Sequence, residues 1–197
     1  MYEDISLVES FESPVVFNSF ATTNFEIMEL RNEILKEHSK KQCNKIVQWV
    51  DSNQERFNEL FHLFLTDEYR ITQRAAWPLS YCAIAHPKLM KANFEKLLNN
   101  LKKPNLHDSI KRNTVRLLEA VDIPPKYEGA VMEICFVYLE SQHEPVAVKA
   151  FSISILGKLA KKYPEIIPEI KLLIEEQLPH QTAAFKSRAK QFIKSIS

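Results

Sequence analysis

Arg70, Arg74, Trp77 and Tyr81 are separated by four, three and four positions, the spacing that places side chains on one face of an α-helix. Cations beside aromatic rings on one face suit a phosphate backbone with a stacked base, or a protein anchor buried against a charged partner. The same spacing fits a structural role, in which Trp77 and Tyr81 wedge into a core and the arginines bridge to carboxylates such as Asp67 or Glu68. Further basic residues follow: Lys111, Arg112 and Arg116, then Lys149, then Lys186, Arg188 and Lys190. On one surface they would form a ladder, read either as an anion-binding groove or as ion pairs between neighbouring structural units. Residues 180–197 hold Lys186, Arg188, Lys190 and Lys194 and no acid, which favours the groove slightly.

Other chemistries find little support. His38, His62, His86, His107, His143 and His180 do not cluster and show no HExxH spacing, so no metal site is expected. The only glycines are Gly129 and Gly157, too few for a phosphate-cradling loop, and no glycine-flanked serine suggests a hydrolase elbow. Glu175 and Glu176 read as part of a solvated face. No catalytic residue and no cofactor is expected. Cys43, Cys82 and Cys135 each sit in an apolar helical pattern, where cysteine acts as a small hydrophobe, and they imply a reducing, cytoplasmic compartment. No apolar run approaches the length of a membrane span, and the acidic start MYEDISLVESFES does not resemble a secretory signal.

Helices must position these residues. The composition, 45% hydrophobic and 26% charged, is that of a globular chain. Residues 1–40 carry eight acids against three bases, leaving 23 bases and 17 acids in residues 41–197, so the folded part is mildly basic. Residues 1–23 show no sustained period and read as a poorly ordered tail, in which Phe11, Val15, Val16, Phe17 and Phe20 could dock as a strap or short helix. From Asn24 the helical period is nearly continuous. Ile27, Leu30 and Ile34 share a face, as do Phe57, Leu60, Phe61 and Phe64, with Asp51 or Ser52 as the cap before them. Prolines 87, 104, 124–125, 145, 164 and 179 punctuate helices of about 12–20 residues, whereas Pro78 falls inside one and predicts a kink. A helix over Glu144–Tyr163 carries an apolar stripe (Phe151, Ile155, Leu159) and a small-residue stripe (Ala147, Ala150, Ser154, Gly157), and so reads as sandwiched.

These elements repeat. His86-Pro87-Lys88-Leu89-Met90 resembles Tyr163-Pro164-Glu165-Ile166-Ile167 at an offset of 77, and Ile123-Pro124-Pro125 lies halfway between. Arg74-Ala75, Arg112-Asn113, Lys149-Ala150 and Arg188-Ala189 keep the same beat, at spacings of 38, 37 and 39. Such a period signals stacked helical hairpins, since one hairpin alone cannot bury both faces. With proline near the first helix and a basic residue early in the second, the chain resembles the HEAT-like repeat proteins. The resemblance implies an all-α fold, a right-handed α-α superhelix of about nine or ten antiparallel helices. Residues 24–197 would form one domain, with 24–52 as a capping pair and 53–197 as repeats of about 38 residues.

The resemblance also implies a use. The second helix of each pair would line the concave surface, placing Arg70, Arg74, Trp77, Tyr81, Lys111, Arg112, Arg116, Lys149, Lys186 and Arg188 there as candidate binding residues. The expected function is non-catalytic binding by a monomer, with a protein or acidic peptide as partner and no membrane. The alternative is nucleic acid, through a distant similarity to HEAT-like DNA-alkylation repair proteins, in which Trp77, Tyr81 and Asp67 would imitate an aromatic pocket with its carboxylate. A lyase of the adenylosuccinate kind would need a glycine- and serine-rich loop that this chain lacks.

Overall fold

The computed structural model describes residues 29–66 and 68–196. The readings of residues 1–23, of Ile27 and of Asp67 therefore lie outside the described residues.

Among the described residues there are ten α-helices and no strand: α1 (Leu30–Lys36), α2 (Lys40–Val50), α3 (Gln54–Thr66), α4 (Tyr69–Ala85), α5 (Phe94–Leu101), α6 (Asp108–Ala120), α7 (Pro125–Glu140), α8 (Val146–Leu159), α9 (Ile167–Gln177) and α10 (Ala183–Ser195). Helices α1 and α5 are shorter than the expected 12 residues, at seven and eight. The long helix read over Glu144–Tyr163 spans only Val146–Leu159, because Pro145 opens it and a turn at Ala160 closes it.

Local chemistry accounts for the ends. The Ser39 hydroxyl accepts the Gln42 N–H at 3.1 Å to start α2. The cap of α3 is Asn53, not Asp51 or Ser52: its Oδ1 accepts the N–H groups of Glu55 and Arg56 at 2.9 and 3.0 Å. Asp51 is instead held at φ 45°, in the reversal between α2 and α3. Pro78 lies inside α4, which runs unbroken across it. There the Ser80 hydroxyl donates to the Trp77 carbonyl at 2.8 Å.

The repeat is visible in the backbone itself. His86 and Tyr163, the residues before the landmark prolines, have φ/ψ of −132°/73° and −125°/71°, and each enters a 3-10 turn (Pro87–Met90 and Pro164–Ile166). Each also reaches back one repeat to an acid. His86 Nε2 lies 3.2 Å from Asp51, and the Tyr163 hydroxyl donates to Glu128 at 2.6 Å. At Pro124-Pro125 the second proline occupies the first turn of α7 directly, so no 3-10 turn intervenes.

Packing follows two layers. The second helices α4, α6, α8 and α10 lie directly against one another in series, and α2 continues the row at its start. The first helices α3, α5, α7 and α9 touch one another much less. A stack tight along one layer and splayed along the other is curved, with α2, α4, α6, α8 and α10 on the inner side. The apolar core fills the space between the layers, from Phe57, Leu60 and Phe64 through Leu97, Leu117 and Ile153 to Phe185, all essentially inaccessible to water. Each such side chain contributes about 1.5–3 kcal/mol by leaving water. Helix α8 is the most enclosed, with Val148, Ile153, Ile155, Leu156 and Leu159 buried around its circumference, but of the two stripes read from the sequence only Ile155, Leu159 and Ala150 are buried, while Phe151, Ala147, Ser154 and Gly157 are half-exposed.

Candidate functional site

The inner surface is built from α4, α6, α8 and α10, and it brings most of the candidate residues together without leaving them equally available. On α4, Arg74 is half-buried and turned toward α1, where its guanidinium donates to the Leu35 carbonyl at 2.9 Å and the Ile34 carbonyl at 3.4 Å. It thus occupies orphan carbonyls at the end of a seven-residue helix. The carboxylate bridge from Glu68 goes to Arg31 at 3.1 Å.

Trp77 and Tyr81 are half-buried, neither core wedges nor free platforms. Their ring centroids are 6.4 Å apart, and His38 meets Trp77 edge-on at 5.4 Å. The Arg116 guanidinium lies 4.2 Å from the Tyr81 ring centroid, a cation–π contact between α4 and α6. Hydrogen bonding from Arg116, and then from Trp77, holds the Tyr81 phenol below its ordinary range. The crevice bounded by Trp77, His38, Arg74 and Cys43 measures only about 10 Å³, room for roughly one water and not for a flipped base.

The rest of the basic ladder is largely engaged. Lys111 donates to both oxygens of Glu144, at 2.6 and 2.7 Å, joining α6 to the α7–α8 connection. Lys149 is 3% exposed, so it lies inside the stack and not on the inner surface. It donates to the Gln177 side-chain carbonyl at 2.5 Å, and the Gln177 amide donates to the Leu139 carbonyl at 2.7 Å. Burial pulls the Lys149 ammonium below its ordinary range. Arg188 of α10 reaches across α8 to Glu119 of α6, with 2.7 Å between Nη1 and Oε1, and its guanidinium lies 5.8 Å from the Phe151 ring centroid. That span is open because α8 presents Ser154 and Gly157 beneath it, where a dent of about 220 Å³ also includes Lys158 and Phe192. Arg70, Arg112 and Lys186 are exposed.

Two contributors were missed from the sequence. Glu119 follows Arg112 and Arg116 at spacings of seven and three, so the helical period already placed it on their face. His38 lies in the α1–α2 connection, where no periodicity signals its approach to Trp77. Among the described residues no group of three His, Cys, Asp or Glu could hold a metal ion, and no helix is long and apolar enough to cross a membrane. The three cysteines are unpaired and buried. Burial raises their thiols, Cys43 to about 11 and Cys82 and Cys135 to about 12, the reverse of what a nucleophile needs.

A family model of the HEAT repeat domain matches residues 30–196. No curated protein and no solved structure matches the chain.

Proposed function

The chain belongs to the HEAT repeat domain family, a helical-repeat scaffold, and we propose that its inner surface binds a protein partner without catalysis. One observation carries this reading: the basic ladder is largely consumed inside the stack. Arg74, Lys111, Lys149 and Arg188 have their cations on α1 carbonyls, Glu144, Gln177 and Glu119. A phosphate backbone needs a run of cations free to release counterions. What remains is a mixed strip. At one end Trp77, Tyr81 and Arg116 offer half-exposed rings and a stacked guanidinium, with Arg70 and Arg112 outside them. At the other the Glu119–Arg188 pair spans the shallow dent over α8. Aromatic and arginine anchors with a polar surround are the composition of a protein interface, and the two exposed arginines favour an acidic partner segment.

The test places a photoreactive amino acid at Ser154 on the inner surface and, separately, at Glu133 on the exposed side of α7. The reading requires a discrete crosslinked species from position 154 and not from 133, lost in Arg112→Glu/Tyr81→Ala. In parallel, anisotropy with duplex and single-stranded DNA is followed across a salt series. Salt-sensitive DNA binding abolished by Arg70→Glu/Arg112→Glu would overturn the protein reading in favour of nucleic acid.

A further inference from the structure

A broad concavity lies away from the inner surface, at the α9–α10 hairpin. These two helices make hardly any direct contact, and α10 is held chiefly by α8. The gap between them is a groove of about 820 Å³ with Ile174, Leu178 and Ile193 along its floor and Lys186, Lys190 and Lys194 along one wall. Leu178 is 37% exposed, a large apolar side chain facing water. Three lysines spaced by four along α10 form a single cationic edge, opposed in the groove only by Glu175.

The edge selects the occupant. A second copy meeting this face by two-fold symmetry would set six lysines against one another, so self-association through it is disfavoured. An acidic segment with apolar anchors fits both features at once. The chain carries such a segment: Glu3, Asp4, Glu9 and Glu12 are interleaved with Ile5, Leu7, Val8 and Phe11. We propose that residues 3–12 of the same chain seat Leu7, Val8 and Phe11 on the α9–α10 floor, with Glu9 and Glu12 against Lys186 and Lys190. The reach is sufficient. The inner row from α2 to α10 is four helix spacings, roughly 40 Å at about 10 Å each. The stretch from Glu12 to Glu29 can extend to roughly 55 Å.

The experiment uses the full chain with benzoylphenylalanine in place of Phe11. After illumination, mass spectrometry of an equal mixture of isotopically heavy and light chains locates each crosslink and shows whether it lies within one chain. Crosslinks within one chain to residues 174–194 are expected, with yield falling at least about fivefold in Lys186→Glu/Lys190→Glu as like charges replace opposite ones. Adding Glu9→Lys/Glu12→Lys to that variant restores the yield, which a merely unfolded α10 could not do. Crosslinks on other elements, crosslinks only between chains, or a yield indifferent to the charge reversals would each overturn the assignment.

Discussion

Replacing Arg74 by alanine separates a structural arginine from a ligand-facing one. The guanidinium has one good bond, to the Leu35 carbonyl at 2.9 Å, and one marginal bond, to Ile34 at 3.4 Å. A hydrogen bond from a charged donor contributes about 1.5–3 kcal/mol, and the longer contact adds little to that. The loss falls on α1, whose seven residues are too few to hold a helix without tertiary support. Arg74→Ala should therefore act locally first: native-state hydrogen exchange should show α1 amides losing about 10- to 100-fold in protection, since about 1.4 kcal/mol is a factor of ten. Amides of α8, the most enclosed helix and remote from α1, should lose less. Arg74→Lys should recover only part of the loss, because the lysine side chain is shorter and its ammonium is more strongly hydrated than a guanidinium. Unchanged α1 protection in Arg74→Ala, alongside weakened partner binding, would refute this reasoning and return Arg74 to the binding surface.

Two further outcomes follow from buried geometry. Glu33 is held down to about 2 by Lys36 first, then by Lys45 and Gln42. Its pairing thus stabilises the fold above the ordinary value of 4.5 and is lost as pH falls toward 2. Because both lysines are half-exposed, the contribution is about 1 kcal/mol, and Glu33→Gln should be less stable than wild type by that amount at pH 7 and equal to it near pH 2, by urea denaturation. The two glycines should respond differently to alanine. At Gly129 an added Cβ meets nothing within 4 Å, so Gly129→Ala should stabilise α7 by about 0.5–1 kcal/mol. At Gly157 the same Cβ would come within 3.1 Å of the Phe192 ring, so Gly157→Ala should forfeit that gain and lower the melting temperature relative to Gly129→Ala.

The fold was legible because its signals are local. Apolar residues at helical spacing in Phe57–Phe64 and in Ile110–Leu118 mark helices whose buried faces the structure retains. The helix read around Phe151–Leu159 is present, but proline at 145 starts it later than the pattern alone suggested, and Phe151, Ser154 and Gly157 of its two stripes stay half-exposed. The proline landmarks were legible as a period but not as a mechanism. That His86 and Tyr163 would each reach an acid one repeat earlier was not read, although Asp51 and Glu128 stand 77 residues apart, the same offset as the landmarks themselves. The cap at Asn53 was missed because three consecutive residues, Asp51, Ser52 and Asn53, all have capping side chains, and the reversal at Asp51 decides among them.

The basic ladder shows why the site was harder. Arg74, Arg112, Lys149 and Arg188 occupy equivalent places in successive second helices, so a sequence period treats them as one residue repeated. The stack does not. Arg74 turns back to the carbonyls of α1, Lys149 turns forward to Gln177 of α9, and Arg188 crosses a whole helix to Glu119 of α6. Arg112 stays exposed. Each outcome is set by what the neighbouring unit offers within reach of a long side chain, and those offers do not repeat. A carbonyl at a helix end, a half-buried amide and a carboxylate across small residues are three solutions to the same problem of placing a cation in a tight stack. Periodicity therefore identifies which residues face the inner layer, while the irregular residues, Glu119, Gln177 and the end of α1, decide which cations are left for a partner.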